Sequence, residues 1–517
     1  MEKNIYNLVN ILDESSAKFP KKTALVFGAK KVKYIELSSK TKKFASALYD
    51  LGVREFDKVA IWLPNCPEYI YSFFAILRLK ATVVPMNTMI KREEARYMAE
   101  DSLSKVLICS IDKLEDSKSI LSRADNLSHL IVLTAPEDDE SIIDFNKSIS
   151  KSEEYRESLD INDDDLAEIV YTSGTTGKPK GACLSHKNIF SNIKDCSNTA
   201  NFRKNDSFIC ILPLFHSFSS TVCMMLPLYL GSTIVIMRSV RPFKRVIRTI
   251  MKNKVTIFMG VPSIFNILAA AKLPFIKRFI NILINPVRFY ISGAAALPNS
   301  VIKKFEKKFK RPLIQGYGLT EASPVVSLNP LNKTRKIGSV GKALKSIEVK
   351  VINKEGNFLP SGEIGELLVK GPNVMRKYYN LEKETEDTLK YGWLFTGDLA
   401  KIDEDGNIYI MGRIKEMINV RGFNVYPREI EDIIYSIPKV KEVAVVGVSH
   451  RHRGEAPVAF VVKENNLDEK ELMRHLKSNL AAYKLPLKII FKEKLPKNAT
   501  GKILKRLLKN EIKGIFK

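Results

Sequence analysis

The sequence has no C-x-x-C pair. Its six cysteines (Cys66, Cys109, Cys183, Cys196, Cys210 and Cys223) stand apart, several in apolar runs where a thiol behaves as a small hydrophobe. A disulfide framework is not indicated, and a reduced cytoplasmic setting is expected. The opening residues, MEKNIYNLVNILDESS, carry acidic groups and lack both an apolar core of signal-peptide length and a small-residue cleavage site, so export is not expected. No internal repeat or low-complexity tract is present, and the 25 glycines and 23 prolines are spread along the chain, which argues against a disordered or fibrous protein.

Between Phe208 and Met237 there is no Asp, Glu, Lys or Arg. The run is long enough to raise a membrane span. Pro213, His216, the polar cluster Ser217 to Thr221, Pro227 and Gly231 interrupt it, however, and a span needs unbroken helical hydrogen bonding. Buried strands flanking a loop and a helix are expected instead.

What the chain does hold is a large apolar content: 517 residues, 45% hydrophobic and 27% charged, enough for at least two domains. The net charge of +26 invites a nucleic-acid partner. Basic residues are scattered through the whole length, with neither zinc-finger spacing nor an aromatic RNA-binding signature, so lysine-rich composition explains the charge and no nucleic acid is expected. One denser cluster, from Phe275 through Lys303, Lys304, Lys307 and Lys308 to Arg311, mixes apolar and basic residues and is expected to rest peripherally on an anionic membrane.

The fold class reads as α/β. The runs KVAIWLP, TVVPMN, KVLICS, HLIVLT, EIVYT, FICILP, STIVIM, VTIFMG and RFYIS predict strands, several continuously apolar as fully buried strands are, with helical patterns between many of them. That alternation predicts stacked α/β layers with mostly parallel sheets. After about Gly338 the texture changes to short strands and turns, predicting a small antiparallel β subdomain. A compact α+β unit follows, with a helix from Pro427 to about Ile437, a helix near Glu469 to Leu480, and strands EVAVVGV, VAFVVKE and LKIIF. The expected division is 1–412 for the large domain, 413–416 for a hinge and 417–517 for the small domain.

One segment points to chemistry. YTSGTTGKPKGA, from Tyr171 to Ala182, follows a strand and crowds Gly, Ser, Thr and Lys into one turn. Glycines let backbone N–H groups approach an anion, hydroxyls donate to phosphate oxygens, and Lys178 and Lys180 supply charge, as a triphosphate requires. The spacing is not that of a Walker loop. Taken alone, the segment also admits a flexible hairpin turn as the less favoured reading.

Four further segments follow in order: QGYGLTEASP (Gln315 to Pro324), GWLFTGD ending at Asp398, GRIKE beginning at Gly412, and PKNATGKILK containing Lys502. Together with the first they resemble the adenylate-forming superfamily of acyl-CoA synthetases, luciferases and peptide-synthetase adenylation domains, over about Leu25 to Leu507. The resemblance implies ATP, Mg2+ and coenzyme A as cofactor and co-substrates. It assigns Thr172, Ser173, Gly174, Thr175, Thr176, Gly177, Lys178 and Lys180 to the ATP phosphates and Glu321 to the magnesium, an apt carboxylate since that ion prefers oxygen. Asp398 would accept from the ribose hydroxyls and Arg413 would contact ribose and phosphate. Gly293, Ala294, Ala295, Gly316, Tyr317 and Gly318 would wall the adenine, with Thr320 beside them.

Lys502 resembles the lysine that the family brings to the forming acyl-adenylate, where a cation stabilises charge between two anions. Lys415 would be the hinge and Gly422 would line the pantetheine channel in a second conformation. His216 would lie beside the reacting carboxyl; apart from the resemblance it reads as a hydrogen-bonded core histidine. The apolar residues around it, with the similarity of GYGLTEASPVVSLNP to bacterial long-chain enzymes, imply a medium- or long-chain fatty acid joined to coenzyme A. Transfer to an acyl carrier protein and activation of an aryl or other carboxylate remain alternatives. A non-catalytic basic RNA- or membrane-binding protein is the reading of a different class. A homodimer is left open.

Overall fold

The computed structural model describes residues 6–136, 139, 142–157, 160–172, 178–271, 285–331, 335–464, 467–498 and 501–513. Among the described residues the strands form four sheets. A nine-stranded sheet has a parallel centre, Leu313–Gly318, Phe289–Ser292, Ile257–Gly260, Ser207–Cys210, Thr233–Ile236 and Thr23–Phe27 in spatial order, with antiparallel strands at both edges. An eight-stranded sheet likewise has a parallel centre, from Leu166–Thr172 through Thr82–Pro85, Lys58–Trp62 and Ser104–Cys109 to His129–Val132.

Strand alternation shows how these sheets stack. In Lys58–Trp62, Val59 and Ile61 enter the central core while Ala60 and Trp62 enter a second, outer one. In Ser207–Cys210, Phe208 and Cys210 face the central core and Ile209 faces a third. Side chains on a strand alternate between faces, so each sheet is covered on both sides. The result is five layers, with helices such as Pro67–Arg78 and His186–Thr199 between the two sheets and further helices outside each. Every strand expected from the nine apolar runs is present. The departures from parallel order lie at the sheet edges and at the hairpin Leu166–Thr172/Lys180–Ser185, where a short connection allows only antiparallel pairing.

The charge-free stretch from Phe208 to Met237 folds as expected. Two parallel strands, Ser207–Cys210 and Thr233–Ile236, flank a buried helical segment, Ser217 to Tyr229, that contains a π turn at Ser220–Met225. No helix among the described residues is long and apolar enough to cross a membrane. The outer core of the nine-stranded sheet is aromatic: Phe305 meets Tyr290 at 4.8 Å and Phe265 at 5.6 Å between centroids. Each such pair adds about 0.5–1.5 kcal/mol beyond its burial.

The third sheet is antiparallel and built from Glu348–Ile352, Gly365–Lys370, Leu389–Lys390, Trp393–Ile402 and Ile408–Arg413. A short 3-10 turn, Ile414–Glu416, connects it to the last unit. There Val440–His450 and Gly454–Lys463 form a long hairpin with helices Pro427–Ser436 and Glu469–Asn479 on one face and Lys505–Glu511 on the other. Pro427 starts the first helix, where its missing N–H is no loss, and the Asp468 side chain caps the second by accepting from Glu471 N–H. The small unit docks on the large one: Asn266 donates to the Lys441 carbonyl at 2.6 Å and Ser300 to that of Tyr435 at 3.1 Å.

Candidate active site

The strand Leu166–Thr172 delivers Thr172 to the start of the glycine-rich turn, and Lys180 opens the returning strand directly opposite it. The Thr172 hydroxyl donates to the Lys180 carbonyl at 3.3 Å. Ser173, Gly174, Thr175, Thr176 and Gly177 lie outside the described residues. Lys178 rests 5.2 Å from the Tyr97 ring centroid, and Lys180 lies 5.4 Å from that of Tyr378 and 3.8 Å from Glu384.

The strand Leu313–Gly318 runs into the 3-10 turn Thr320–Ala322. A Cβ on Gly318 would fall 2.1 Å from the Pro324 carbonyl oxygen, so the chain can fold back there only with glycine. The fold-back presents Thr320 to Ser217, with 3.2 Å between their hydroxyls, and Glu321 to Tyr378, whose hydroxyl donates to it at 2.8 Å. One carboxylate at this point suits a cation whose other ligands are phosphate oxygens and water, as magnesium commonly is. Among the described residues no group of three or more His, Cys, Asp or Glu offers an all-protein cage.

Gly293 sits at the end of Phe289–Ser292, and a Cβ there would come within 2.7 Å of the Phe218 ring. Ala294 beside it takes a positive φ of 66°. Both line a narrow apolar cavity with Gly316, Tyr317 and Gly318, and all of these but Gly293 also line a larger cleft of about 940 Å³ between the two units. Ala295 lines the cleft. So do Asp398, Gly412, Arg413 and Lys502.

Asp398 and Arg413 are partners in register on adjacent strands, with Arg413 Nε 3.1 Å from Asp398 Oδ1. Tyr317 donates to the other oxygen, Oδ2, at 2.6 Å. Lys502 arrives on a turn in which Gly501, at a φ of 79°, would place a Cβ only 2.8 Å from Ser263 Oγ of the large domain. That close approach seats the tail against the cleft. Lys502 is accessible from the cleft but walled in by protein, and this burial, with the positive charge of Arg413, lowers its pKa.

His216 accepts the Phe218 N–H on Nδ1 at 3.2 Å, which leaves the proton of a neutral ring on Nε2. Burial, and then the positive charge of Lys502, push its pKa down to about 4, so the ring is neutral at physiological pH. The cavity beyond His216 is walled by Phe218, Val222 and Leu226, four residues apart along the buried helical segment, and is also lined by Met259, Phe202 and Cys196. Its space is small, about 60 Å³, and among the described residues no Asp, Glu, Lys or Arg lines it.

Lys415 and Gly422 are not among the residues lining either cavity. Lys415 occupies the 3-10 turn between the units, and Gly422 lies at φ 87° in the exposed hairpin linking Ile418–Val420 and Phe423–Val425. Sequence reasoning missed Tyr378, Ser217 and Lys505. Lys505 pairs with Glu431 at 2.8 Å and Glu416 at 3.2 Å; burial opposes its charge, but the two carboxylates outweigh that and raise its pKa. Lys505 stands three residues after Lys502, a signal available in the sequence. Tyr378 reaches Glu321 only through pairing of Lys377–Tyr378 with Lys180–Ser185, which no local pattern announces.

Residues 12–379 match the model of the AMP-binding enzyme family, and residues 429–502 match that of the AMP-binding enzyme C-terminal domain. The chain belongs to the AMP-binding enzymes. This AMP-binding enzyme is 35% identical to a long-chain-fatty-acid–CoA ligase of Bacillus subtilis (strain 168), over 98% of this chain and 94% of that one. Its fold is similar to that of ATP-bound MatB from Rhodopseudomonas palustris, with a TM-score of 0.91, 32% identity and coverage of 99% and 100% of the two chains. It is also similar to the anthranilate CoA ligase AuaEII in complex with anthranoyl-AMP, with a TM-score of 0.91, 29% identity and coverage of 98% and 97%. The AMP-binding enzyme is therefore an AMP-forming acid–thiol ligase using ATP, Mg2+ and coenzyme A.

Proposed function

We propose that this AMP-binding enzyme is a fatty acid–CoA ligase acting on medium- or long-chain acids. The acid carboxylate attacks the α-phosphate of ATP, forming an acyl-adenylate and releasing pyrophosphate; the thiol of coenzyme A then attacks the acyl carbon and AMP leaves. The observation that carries the fatty acid reading is the apolar cavity behind His216, whose wall of Phe218, Val222, Leu226 and Met259 offers an acyl chain no charged group.

In this reading Thr172 to Lys180, including Ser173, Gly174, Thr175, Thr176 and Gly177, hold the phosphates, and Glu321 would hold a magnesium ion, which would offset the charge of the phosphate oxygens. Gly293, Ala294, Ala295, Gly316, Tyr317 and Gly318 wall the adenine, and Asp398 with Arg413 takes the ribose. His216 and Thr320 flank the reacting carboxylate. Lys502 bridges that carboxylate and the α-phosphate, where fixed positive charge stabilises the transition state most. Its place in the same cleft as Asp398 and Arg413 supports the adenylation role. Lys415 is the hinge, and Gly422 lines the coenzyme A channel after rotation.

The likeness to an anthranilate CoA ligase favours an aryl acid as the second reading. Pyrophosphate release from a length series of fatty acids and from benzoate, anthranilate and coumarate, each with coenzyme A, separates the two. Highest kcat/KM for an acid of medium or long chain is expected. Preference for the aryl acids would replace the fatty acid reading, and product formed only on a carrier protein would replace coenzyme A as acceptor.

A further inference from the structure

From Ser207 to Phe305 the chain holds no Asp or Glu, while Lys and Arg recur. The fold gathers part of this imbalance on one surface. The helix Phe243–Lys252 buries Val246 and Ile250 in the outer core of the nine-stranded sheet, beside Ile264 and Phe265 of Pro262–Ala270 and Phe305 of Asn299–Phe309. On the opposite side of the helix Lys244, Arg248 and Lys252 follow at four-residue spacing, with Arg245 beside them, all exposed. Ile247 is 48% exposed on the flank of this ridge, next to half-buried Met251.

Among the described residues no carboxylate forms an ion pair with any of these four cations. Some basic groups elsewhere are paired, as in Lys80 with Glu55 and Asp165, and Lys308 donates to carbonyls at the end of Pro262–Ala270, reaching Leu268 O at 2.7 Å. A solvated helix face usually mixes signs along i, i+4 pairs; a face with one sign and an apolar flank is the pattern of a surface helix on anionic lipid. Residues 272–284, part of the apolar and basic cluster singled out in the sequence, lie outside the described residues, and nothing here rests on them.

We propose that the face of Phe243–Lys252 is a docking surface for an anionic lipid bilayer, with Lys244, Arg245, Arg248 and Lys252 on the headgroups and Ile247 entering the interface. The proposal concerns binding and does not depend on which acid the enzyme activates. An acidic carrier protein or RNA would meet the same charge; the apolar flank of Ile247 and Met251 beside the ridge favours a bilayer, whose interface takes apolar side chains below the headgroups.

The test is co-sedimentation of the full chain with phosphatidylcholine vesicles and with vesicles that also contain phosphatidylglycerol. Binding to the anionic vesicles alone is expected, weakened by added salt. The variant Lys244→Glu, Arg248→Glu, Lys252→Glu should lose at least about tenfold in partition, with turnover of a water-soluble acid retained as evidence of folding. The control Lys31→Glu, Lys354→Glu, Lys470→Glu, equal in charge change and placed elsewhere, should bind as the parent does; equal loss in the control would reduce the effect to net charge and overturn the assignment. Should the helix variant itself fail to fold, Ile247→Ser gives a second readout, expected to weaken binding without altering the salt dependence. Unchanged vesicle binding in the helix variant, with reduced affinity for RNA or an acidic carrier protein, would assign the face to that partner instead.

Discussion

Arg413 Nε lies 3.1 Å from Asp398 Oδ1, and the two residues are register partners on neighbouring antiparallel strands. Tyr317 donates to the second carboxylate oxygen, so Asp398 is fixed from both sides although only 8% of its side chain is exposed. Pairing on adjacent strands holds both groups at one edge of the cleft without relying on loops. Asp398→Ala should raise KM for ATP and lower kcat/KM by about 100-fold, the loss expected for a charged hydrogen-bond acceptor of about 2.7 kcal/mol. Unchanged ATP kinetics would remove Asp398 from the nucleotide site.

Lys502→Ala should lower adenylation, read as pyrophosphate release, by about 100- to 1,000-fold. Thiol transfer from supplied acyl-adenylate should survive largely intact, because the lysine is needed only while carboxylate and phosphate approach. Equal loss of both half-reactions would assign it a structural task at the Gly501–Ser263 contact.

The cavity of about 60 Å³ leaves little spare room, so its inner residues should set the accepted chain length. Leu226→Trp should shift the preferred acid toward shorter chains, with each excluded methylene costing about 1–3 kcal/mol in kcat/KM. Phe202 lines the cavity yet is only half buried, and Phe202→Ala should extend the range of acids accepted. Length profiles that do not move with either change would place the acyl chain elsewhere.

His186 and His216 should make the protein sensitive to mild acid. Burial pushes both pKa values down to about 4, with repulsion from Lys502 added at His216. His186 Nδ1 accepts the Leu8 N–H at 3.2 Å, a bond that a proton on that nitrogen would break. Because each folded pKa lies below the unfolded value near 6.5, their stabilisation is fully present above that pH and is lost as pH falls toward 4, by about 3 kcal/mol each. Urea unfolding across this window should show that slope, and His186→Gln should flatten it.

Glu168 acts in the opposite sense. It is buried in the strand Leu166–Thr172, Oε1 has no hydrogen-bond partner among the described residues, and burial raises its pKa to about 8. A folded pKa above the unfolded one stabilises at low pH and is lost as pH rises through 8. Glu168→Gln should therefore stabilise the protein by roughly 3–5 kcal/mol at pH 9 and much less at pH 5, read from paired unfolding curves.

Some features were legible in the chain because they are local. The nine apolar runs mark strands covered on both faces, and their β-branched composition leaves little alternative. Gly318 of the GYG segment is legible because close approach of backbone there permits no side chain, as the 2.1 Å distance from a Cβ on it to the Pro324 carbonyl oxygen illustrates. The helix faces were legible in principle too: Phe218, Val222 and Leu226 are spaced by four in sequence, but only their burial shows that they wall a cavity.

Tertiary structure decided what depends on elements far apart in the chain. Tyr378 meets Glu321 because a two-residue strand joins the edge of the eight-stranded sheet, and Lys502 meets the cleft because the small unit docks through Asn266 and Ser300. In the basic cluster expected around Phe275 to Arg311, of which residues 272–284 lie outside the described residues, Lys308 turns inward to helix-end carbonyls while Lys303, Lys304 and Lys307 stay exposed, and packing leaves a further ridge from Lys244 to Lys252 facing outward. Sequence by itself determined the family, the strand content and the residue types fit for phosphate and carboxylate chemistry, since these rest on local spacing. Which charges are paired, which face is bare and how far the apolar cavity runs depend on packing between distant segments, and a linear pattern carries no record of that.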